Sequence, residues 1–249
     1  MTEVRITSRK NPLVQQLRKL LSSRRERQQQ GLFVADGTKL LQEAIRWWPG
    51  LQTVVLSDGV RADVPEGVEV VRVPEDVMAY ISPMESPQGA LFVCRLPEKK
   101  PFMPTPGMLL LDGIQDPGNL GTILRTADGL NVPVALLEGC ADPYSHKVVR
   151  SSMGAVFRTP VVQTTWQEAQ DACQKEGIPV AVTALSEQAQ DIRRAELKKM
   201  AVVIGSEGQG VRSQIMENAA EKLIIPMNEH CESLNAAVAA TIVMWQMQK

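Results

Sequence analysis

Val14, Leu17, Leu20 and Leu21 recur at the three- and four-residue steps of one helix face. Leu32-Phe33-Val34-Ala35 follows as a short strand. Leu40, Leu41, Ala44, Ile45 and Trp48 then mark a helix over Thr38–Trp48. The apolar runs Val54-Val55-Leu56, Val68–Val73 and Leu91–Val93 read as further strands. Together these make a small α/β unit. From residue 108 the alternation sharpens, with buried-strand runs at Met108–Leu111, Val134–Leu137, Val180–Val182, Ala201–Ile204 and Leu223–Ile225. Helical stretches fall near 119–130, 166–176 and 209–219, and a last helix carries Leu234, Val238, Ile242 and Trp245 along one side. Apolar strands alternating with helices predict a mostly parallel sheet covered on both faces.

Residues 97–107 hold four prolines, which neither a helix nor a central strand sustains. They divide the chain into a domain over 1–96, a stiff linker over 97–107 and a domain over 108–249. The length of 249 residues agrees, since about 150 residues per domain gives roughly 1.7 domains. At 44% hydrophobic and 22% charged residues, the chain has enough apolar side chain for a core, which excludes wholesale disorder. No apolar run reaches membrane-spanning length, and Met1-Thr2-Glu3 opens no hydrophobic signal core. The four cysteines, Cys94, Cys140, Cys173 and Cys231, are widely spaced, and His146 and His230 are the two histidines. Neither a zinc site, a disulfide framework nor a membrane partner is expected, and the cytoplasm is the expected location.

Charge adds an asymmetry that the net value of −1 hides. Arg5, Arg9, Lys10, Arg18, Lys19, Arg24, Arg25 and Arg27 against Glu3 and Glu26 leave the first 30 residues at +6, and the remainder at −7. Such a concentration is a footprint for phosphates, although a solvated helix face would look the same.

In parallel α/β sheets ligands bind beyond the carboxyl ends of the strands, so those ends are the places to look. The first strand of the second domain is followed by Asp112-Gly113-Ile114-Gln115-Asp116-Pro117-Gly118-Asn119-Leu120-Gly121, with Asn119 a plausible helix N-cap. Leu120, Ile123, Leu124 and Ala127 form the apolar face of that helix. Gly118, Gly121, Thr122, Arg125 and Gly129 lie on another stripe, where glycine costs helix stability and invites a close approach to the backbone. The fourth strand leads into Gly205-Ser206-Glu207-Gly208-Gln209-Gly210, which has neither dinucleotide nor triphosphate-loop spacing. That disfavours a nicotinamide oxidoreductase. The fifth leads into Pro226-Met227-Asn228-Glu229-His230-Cys231-Glu232, with Ser233 a candidate cap for the last helix and Asn235 an anomaly in its first turn.

Taken in order, three segments resemble the motifs of the SpoU branch of the SPOUT superfamily, the TrmH-type RNA ribose 2′-O-methyltransferases. They are Asp116-Pro117-Gly118-Asn119-Leu120-Gly121 through Arg125-Thr126-Ala127-Asp128; Ile204 through Gly210; and Ile225-Pro226-Met227 with Ser233-Leu234-Asn235-Ala236-Ala237-Val238-Ala239. Lys147 and Arg150-Ser151-Ser152-Met153-Gly154-Ala155 resemble the intervening segment. The first 96 residues more loosely resemble the ribosomal-protein-like α/β domain often attached in front, with Asp36-Gly37 where many relatives have Glu-Gly.

The resemblance implies a C-terminal α/β knot, a deep trefoil that general topology rules disfavour. It also implies a homodimer, S-adenosylmethionine as cofactor, and an RNA partner, ribosomal more than transfer RNA. It assigns the catalytic work to Asn119, Arg125, Glu207, Ser233 and Asn235, and the cofactor pocket to Gly205, Gly208, Ile225, Met227 and Leu234. A ribose hydroxyl must be aligned and relieved of its proton as the bond forms. A guanidinium stays charged near neutral pH, so Arg125 reads as a phosphate clamp that also stabilises the developing alkoxide. The rival readings are a non-catalytic RNA-binding module and a ribosome assembly factor. Both sit poorly with a complete motif set.

Overall fold

The computed structural model describes residues 4–159, 161–186 and 188–249, which leaves Glu3 of the basic segment outside the described residues. The chain forms two compact units. The first comprises residues up to 98 together with 144–159, and the second comprises 99–143 with the chain from 161 onward.

In the first unit the strands are β1 (Val4–Arg5), β2 (Leu32–Asp36), β3 (Leu51–Ser57), β4 (Glu69–Val73) and β5 (Ala90–Arg95). Its opening helices are α1 (Pro12–Ser22), α2 (Arg24–Gln30), α3 (Thr38–Trp47) and α4 (Glu75–Ile81). The basic segment is thus two helices, because Ser23 leaves the helix and its hydroxyl caps α2 by accepting from Glu26 N. The five-stranded sheet runs β1-β4-β3-β5-β2, with β3 antiparallel to β5 and parallel to β4. Alternation along β2 splits its side chains between two cores. Val34 faces a cluster with Val14, Leu17, Leu20 and Leu21 of α1. Phe33 joins Trp48, Tyr144 and Phe157 in an aromatic cluster with ring centroids 5.1 to 6.2 Å apart.

The second unit begins with β6 (Met108–Leu111), α5 (Pro117–Leu130) and β7 (Val134–Leu136). The short helices α6 (His146–Ser151) and α7 (Ala155–Arg158) belong to the first unit. The second unit then resumes with β8 (Val162–Gln163), α8 (Trp166–Lys175), β9 (Val180–Thr183), β10 (Gln190–Asp191), β11 (Ala201–Ile204), α9 (Ser213–Asn218), β12 (Glu221–Ile224) and α10 (Ala236–Gln246). Its seven-stranded sheet runs β10-β12-β9-β11-β6-β7-β8, and every pairing is parallel. The mostly parallel sheet expected from the apolar runs is therefore present.

Three local expectations need correction. Asn119 is not the cap of α5, because Asp116 accepts from Asn119 N at 2.8 Å with Pro117 at the first helical position. Ser233 does not cap the last helix. Asn235 does, accepting from Ala237 N and Val238 N, so the anomalous asparagine is the cap itself. The helix expected over 209–219 is confined to Ser213–Asn218, because Gly210 has φ +67° and closes a turn on Ser206.

Candidate functional site

The loops that leave the sheet at its carboxyl edge enclose a cleft of about 410 Å³. It is lined mostly by apolar and small residues. Residues 204–211 after β11 form one wall, and Ile225, Met227 and Leu234 after β12 form another. Thr183, Ala184 and Leu185 after β9 add a third. The last three carry no motif, yet they follow a buried strand, and that position alone could have flagged them.

The wall after β11 is a tight reversal. Ser206 N donates to Gly210 O at 3.1 Å, and Gly210 N donates to Ser206 O at 2.9 Å. Gly205 stands directly beneath it, and a Cβ there would lie 2.1 Å from the Gly210 carbonyl carbon. No side chain larger than hydrogen fits without moving backbone. Gly208, at the tip, faces open space.

A line of amides runs from the start of α10 to this reversal. Asn235 Oδ1 is occupied by two backbone N–H groups of α10, which orients its Nδ2 outward to donate to Asn119 Oδ1 at 3.0 Å. Asn119 Nδ2 in turn donates to Glu207 Oε1. Residues 116 positions apart are thereby brought together, and each amide has its orientation fixed by its neighbour. Among the described residues that line the cleft, Glu207 is the one that carries a charge, and none is a lysine, arginine or histidine.

All five residues expected in the cofactor pocket, Gly205, Gly208, Ile225, Met227 and Leu234, line this cleft. Of those expected to be catalytic, Glu207 and Ser233 line it and Asn119 and Asn235 adjoin it through the amide line. Arg125 sits apart from them. It is exposed on α5, and its guanidinium pairs with no carboxylate among the described residues. On the stripe it shares, Gly121 is buried whereas Gly118 and Gly129 are exposed.

A second polar cluster, carried by no motif, fastens the far end of the β11 loop. Arg212 N and Nε donate to the buried Asp112 carboxylate at 2.9 and 2.6 Å, and Nη2 donates to Glu138 at 2.8 Å. Asp112 directly follows β6, and Glu138 follows β7 while also accepting from Trp166 N at the start of α8. Burial pushes the Glu138 carboxyl up, but the Arg212 hydrogen bond and charge and the backbone donors outweigh it and hold it below the usual range. Replacing Arg212 strands a charge on Asp112, which is 1% exposed. Arg212→Gln is therefore expected to cost about 1–3 kcal/mol, and Arg212→Lys about half of that, in denaturant unfolding. An unchanged midpoint for the glutamine variant would remove the clamp from the account.

Neither cysteine nor histidine contributes to the cleft. Cys140 Sγ donates to Leu111 O at 3.2 Å, and burial pushes its thiol up to about 11. Among the described residues no group of three or more His, Cys, Asp or Glu is arranged to hold a metal ion. No described helix is long and apolar enough to cross a membrane.

Comparison with known proteins gives the family. Residues 106–245 match the SpoU rRNA Methylase family, and residues 11–91 match the MRM3-like substrate binding domain. The chain is 34% identical over 249 residues, 98% of either chain, to the 23S rRNA (guanosine(2553)-2′-O)-methyltransferase RlmP of Bacillus subtilis. Among solved structures it resembles an AdoMet-bound rRNA methyltransferase from Sinorhizobium meliloti, with a TM-score of 0.87 and 27% identity over 99% of this chain and 97% of that one. The parallel sheet, the cleft at its carboxyl edge, the ordered motifs around it and these matches over most of the chain converge: the protein belongs to the SpoU rRNA methylase family.

Proposed function

We propose that this protein transfers a methyl group from S-adenosylmethionine to a ribose 2′-hydroxyl of ribosomal RNA in the cytoplasm, working as a homodimer. The observation that carries the reading is the Asn235–Asn119–Glu207 line set against a cleft of main-chain loops. The cleft suits that cofactor. Its volume of about 410 Å³ lies within the range of small-molecule sites. Among the described residues its lining is mostly apolar and small, with one carboxylate and no cation to meet phosphates, which fits a sulfonium compound without them. The RlmP relative and the AdoMet-bound Sinorhizobium protein support both halves of the proposal.

When bound, the cofactor supplies an electrophilic methyl group on a sulfonium centre. The rest of the work falls to the chain. Gly205, Gly208, Ile225, Met227 and Leu234 hold the cofactor, largely by backbone. Asn119 and Asn235, each locked by a neighbour, orient the ribose, and Ser233 contributes a hydroxyl at the mouth. Glu207 fixes Asn119 and complements positive charge in the cleft. Arg125 grips the RNA phosphate beside the target and stabilises the alkoxide as the proton leaves. Because Arg125 is exposed and does not line the cleft of its own chain, we assign it to the partner subunit's site.

The last helix supports the dimer. One side, Ala236, Ala237, Ala240, Val243 and Met244, is buried, whereas Val238 and Trp245 on the other are 48% and 60% exposed. A helix apolar all round calls for a cover on both sides. Trp245→Glu is expected to convert dimer to monomer in sedimentation equilibrium, with methyl transfer falling in parallel and the secondary-structure signal intact. A variant that stays dimeric would remove this face from the interface. The trefoil knot belongs to the same proposal. Support comes from the path after β12, since α10 packs against α5 and β11 although β9 separates β12 from β11 in the sheet. Within the dimer, residues 1–96 present the RNA, 97–107 connect, and 108–249 carry the chemistry.

The test is methyl transfer from radiolabelled cofactor to unmodified ribosomal RNA, followed by mass-spectrometric mapping of ribose methylation in cells with and without the gene. Incorporation into transfer RNA alone would move the substrate, and cofactor binding without incorporation into any RNA would overturn the reading.

A further inference from the structure

We infer that Arg9, Gln15, Arg18 and Tyr80 on the first unit form a preordered grip for the phosphates of folded RNA. The inference rests on the proposal that RNA is the substrate, and names where this chain holds it.

Charge counting cannot separate the cations of the first 30 residues, but their surroundings do. Arg27 is 5% exposed and donates to the carbonyls of Leu20 and Leu21, so it serves the turn between α1 and α2. Arg5 is engaged by both oxygens of Asp58 at 3.0 and 2.7 Å. The remaining cations, Arg9, Lys10, Arg18, Lys19, Arg24 and Arg25, are exposed.

Two of them are positioned by a ring. Tyr80 of α4 packs its apolar side against the core cluster beneath α1. The Arg18 guanidinium carbon lies 4.2 Å from the Tyr80 ring centroid and that of Arg9 lies 5.3 Å from it. Gln15 Nε2 donates to Arg9 O at 2.6 Å and so fixes the loop that carries Arg9. Arg9 also meets Asp76 at 3.1 Å, a pair exposed on both sides, while Arg18 has no carboxylate partner among the described residues. A guanidinium held by a ring retains its N–H fork for phosphate oxygens and has less rotamer freedom left to lose on binding.

Charge complementarity selects RNA over an acidic protein. The exposed positions of α1 and α2 are Pro12, Gln15, Arg18, Lys19, Ser22, Arg24, Arg25, Gln28 and Gln29. None of the large exposed hydrophobic residues lies on either helix. A protein interface would call for an apolar centre, whereas a phosphate backbone is met by cations and amides.

The test measures binding of an in vitro transcript of large-subunit ribosomal RNA across a salt series. The double variant Arg9→Gln/Arg18→Gln is expected to bind about tenfold more weakly near 0.1 M salt, with the log–log salt slope reduced by about 0.7–0.9 for each arginine. Lys175→Gln/Lys198→Gln, which removes equal charge elsewhere, should change affinity less than about twofold. Tyr80→Phe, which keeps the ring but loses the hydroxyl contacts with Gln15 and Arg18, should lose less than Tyr80→Leu, which should lose about threefold with both charges still present. Thermal midpoints within error of the wild type certify folding. Equal losses in the two double variants, or unchanged binding by Tyr80→Leu, overturn the inference while leaving the methyltransferase reading intact. Displacement of RNA by polyglutamate at low equivalents would also overturn it, in favour of an acidic protein. Failure of the wild type to bind the transcript overturns both readings.

Discussion

Arg125→Ala is expected to lower the rate of methyl transfer by about a hundredfold or more while cofactor affinity stays within about twofold. The reasoning starts from position. Arg125 is exposed on α5, has no carboxylate partner among the described residues, and does not line the cleft proposed for the cofactor. Its loss therefore leaves the cofactor's contacts in place. The group it would meet is the RNA phosphate and the oxygen that gains negative charge as the proton leaves, so the loss falls on turnover. Arg125→Lys keeps the charge but not the planar fork, and should recover only part of the rate. Mixing Arg125→Ala with Asn119→Ala protomers tests whether the arginine works across the dimer. Equal mixing should restore about a quarter of the wild-type sites if each site draws the two residues from different subunits. Isothermal titration with S-adenosylhomocysteine reads the other half. Collapse of that binding in Arg125→Ala would show that the arginine shapes the pocket instead, and no recovery on mixing would return it to its own subunit's site.

Gly205→Ala should abolish cofactor binding, with an affinity loss of more than about a hundredfold, equivalent to about 2.7 kcal/mol. The new methyl carbon would stand 2.1 Å from the Gly210 carbonyl carbon, 2.2 Å from its oxygen and 2.2 Å from Val211 N. These are backbone atoms, and they are tied by the Ser206–Gly210 hydrogen-bond pair. Relief requires the whole reversal to lift, which removes one wall of the cleft and strains the Arg212 clamp behind it. Overpacking of this kind costs about 1–3 kcal/mol, so the thermal midpoint should fall as well. Gly208→Ala, in open space on the same loop, is the matched control for packing, and its stability should stay within about 0.5 kcal/mol of the wild type. Tight binding by Gly205→Ala would mean that the loop is soft and that the cleft does not depend on it.

Legibility in the sequence followed how local each cause was. Runs such as Met108–Leu111 and Ala201–Ile204 are buried on both faces, so their apolar composition announced β6 and β11 and the parallel sheet they share. The apolar face of α5 was equally plain. Caps were harder, because two polar residues competed at each start. The proline after Asp116 was the cue that decided the first, while the chain's path through the cleft past Leu234 delayed the second start to Ala236. The short helices α4, α6 and α7 span two turns or fewer, too little for a period to emerge, and they depend on packing. At the site, each glycine-containing segment was ambiguous singly. Their order gave them meaning, through resemblance to a family. The Asp112–Arg212–Glu138 clamp and Thr183–Leu185 left no such mark, since lone residues at strand ends gain their roles only when the sheet sets them side by side.

The aromatic cluster of the first unit has a consequence for how the protein is made. Phe33 and Trp48 emerge early in translation, yet Tyr144 and Phe157, which complete their packing, are synthesised about a hundred residues later. Until then one side of the nascent unit stays greasy and bare, a surface suited to chaperones. A fragment truncated at the proline-rich segment would inherit that surface permanently, and should aggregate unless residues 144–159 are supplied to it as a peptide.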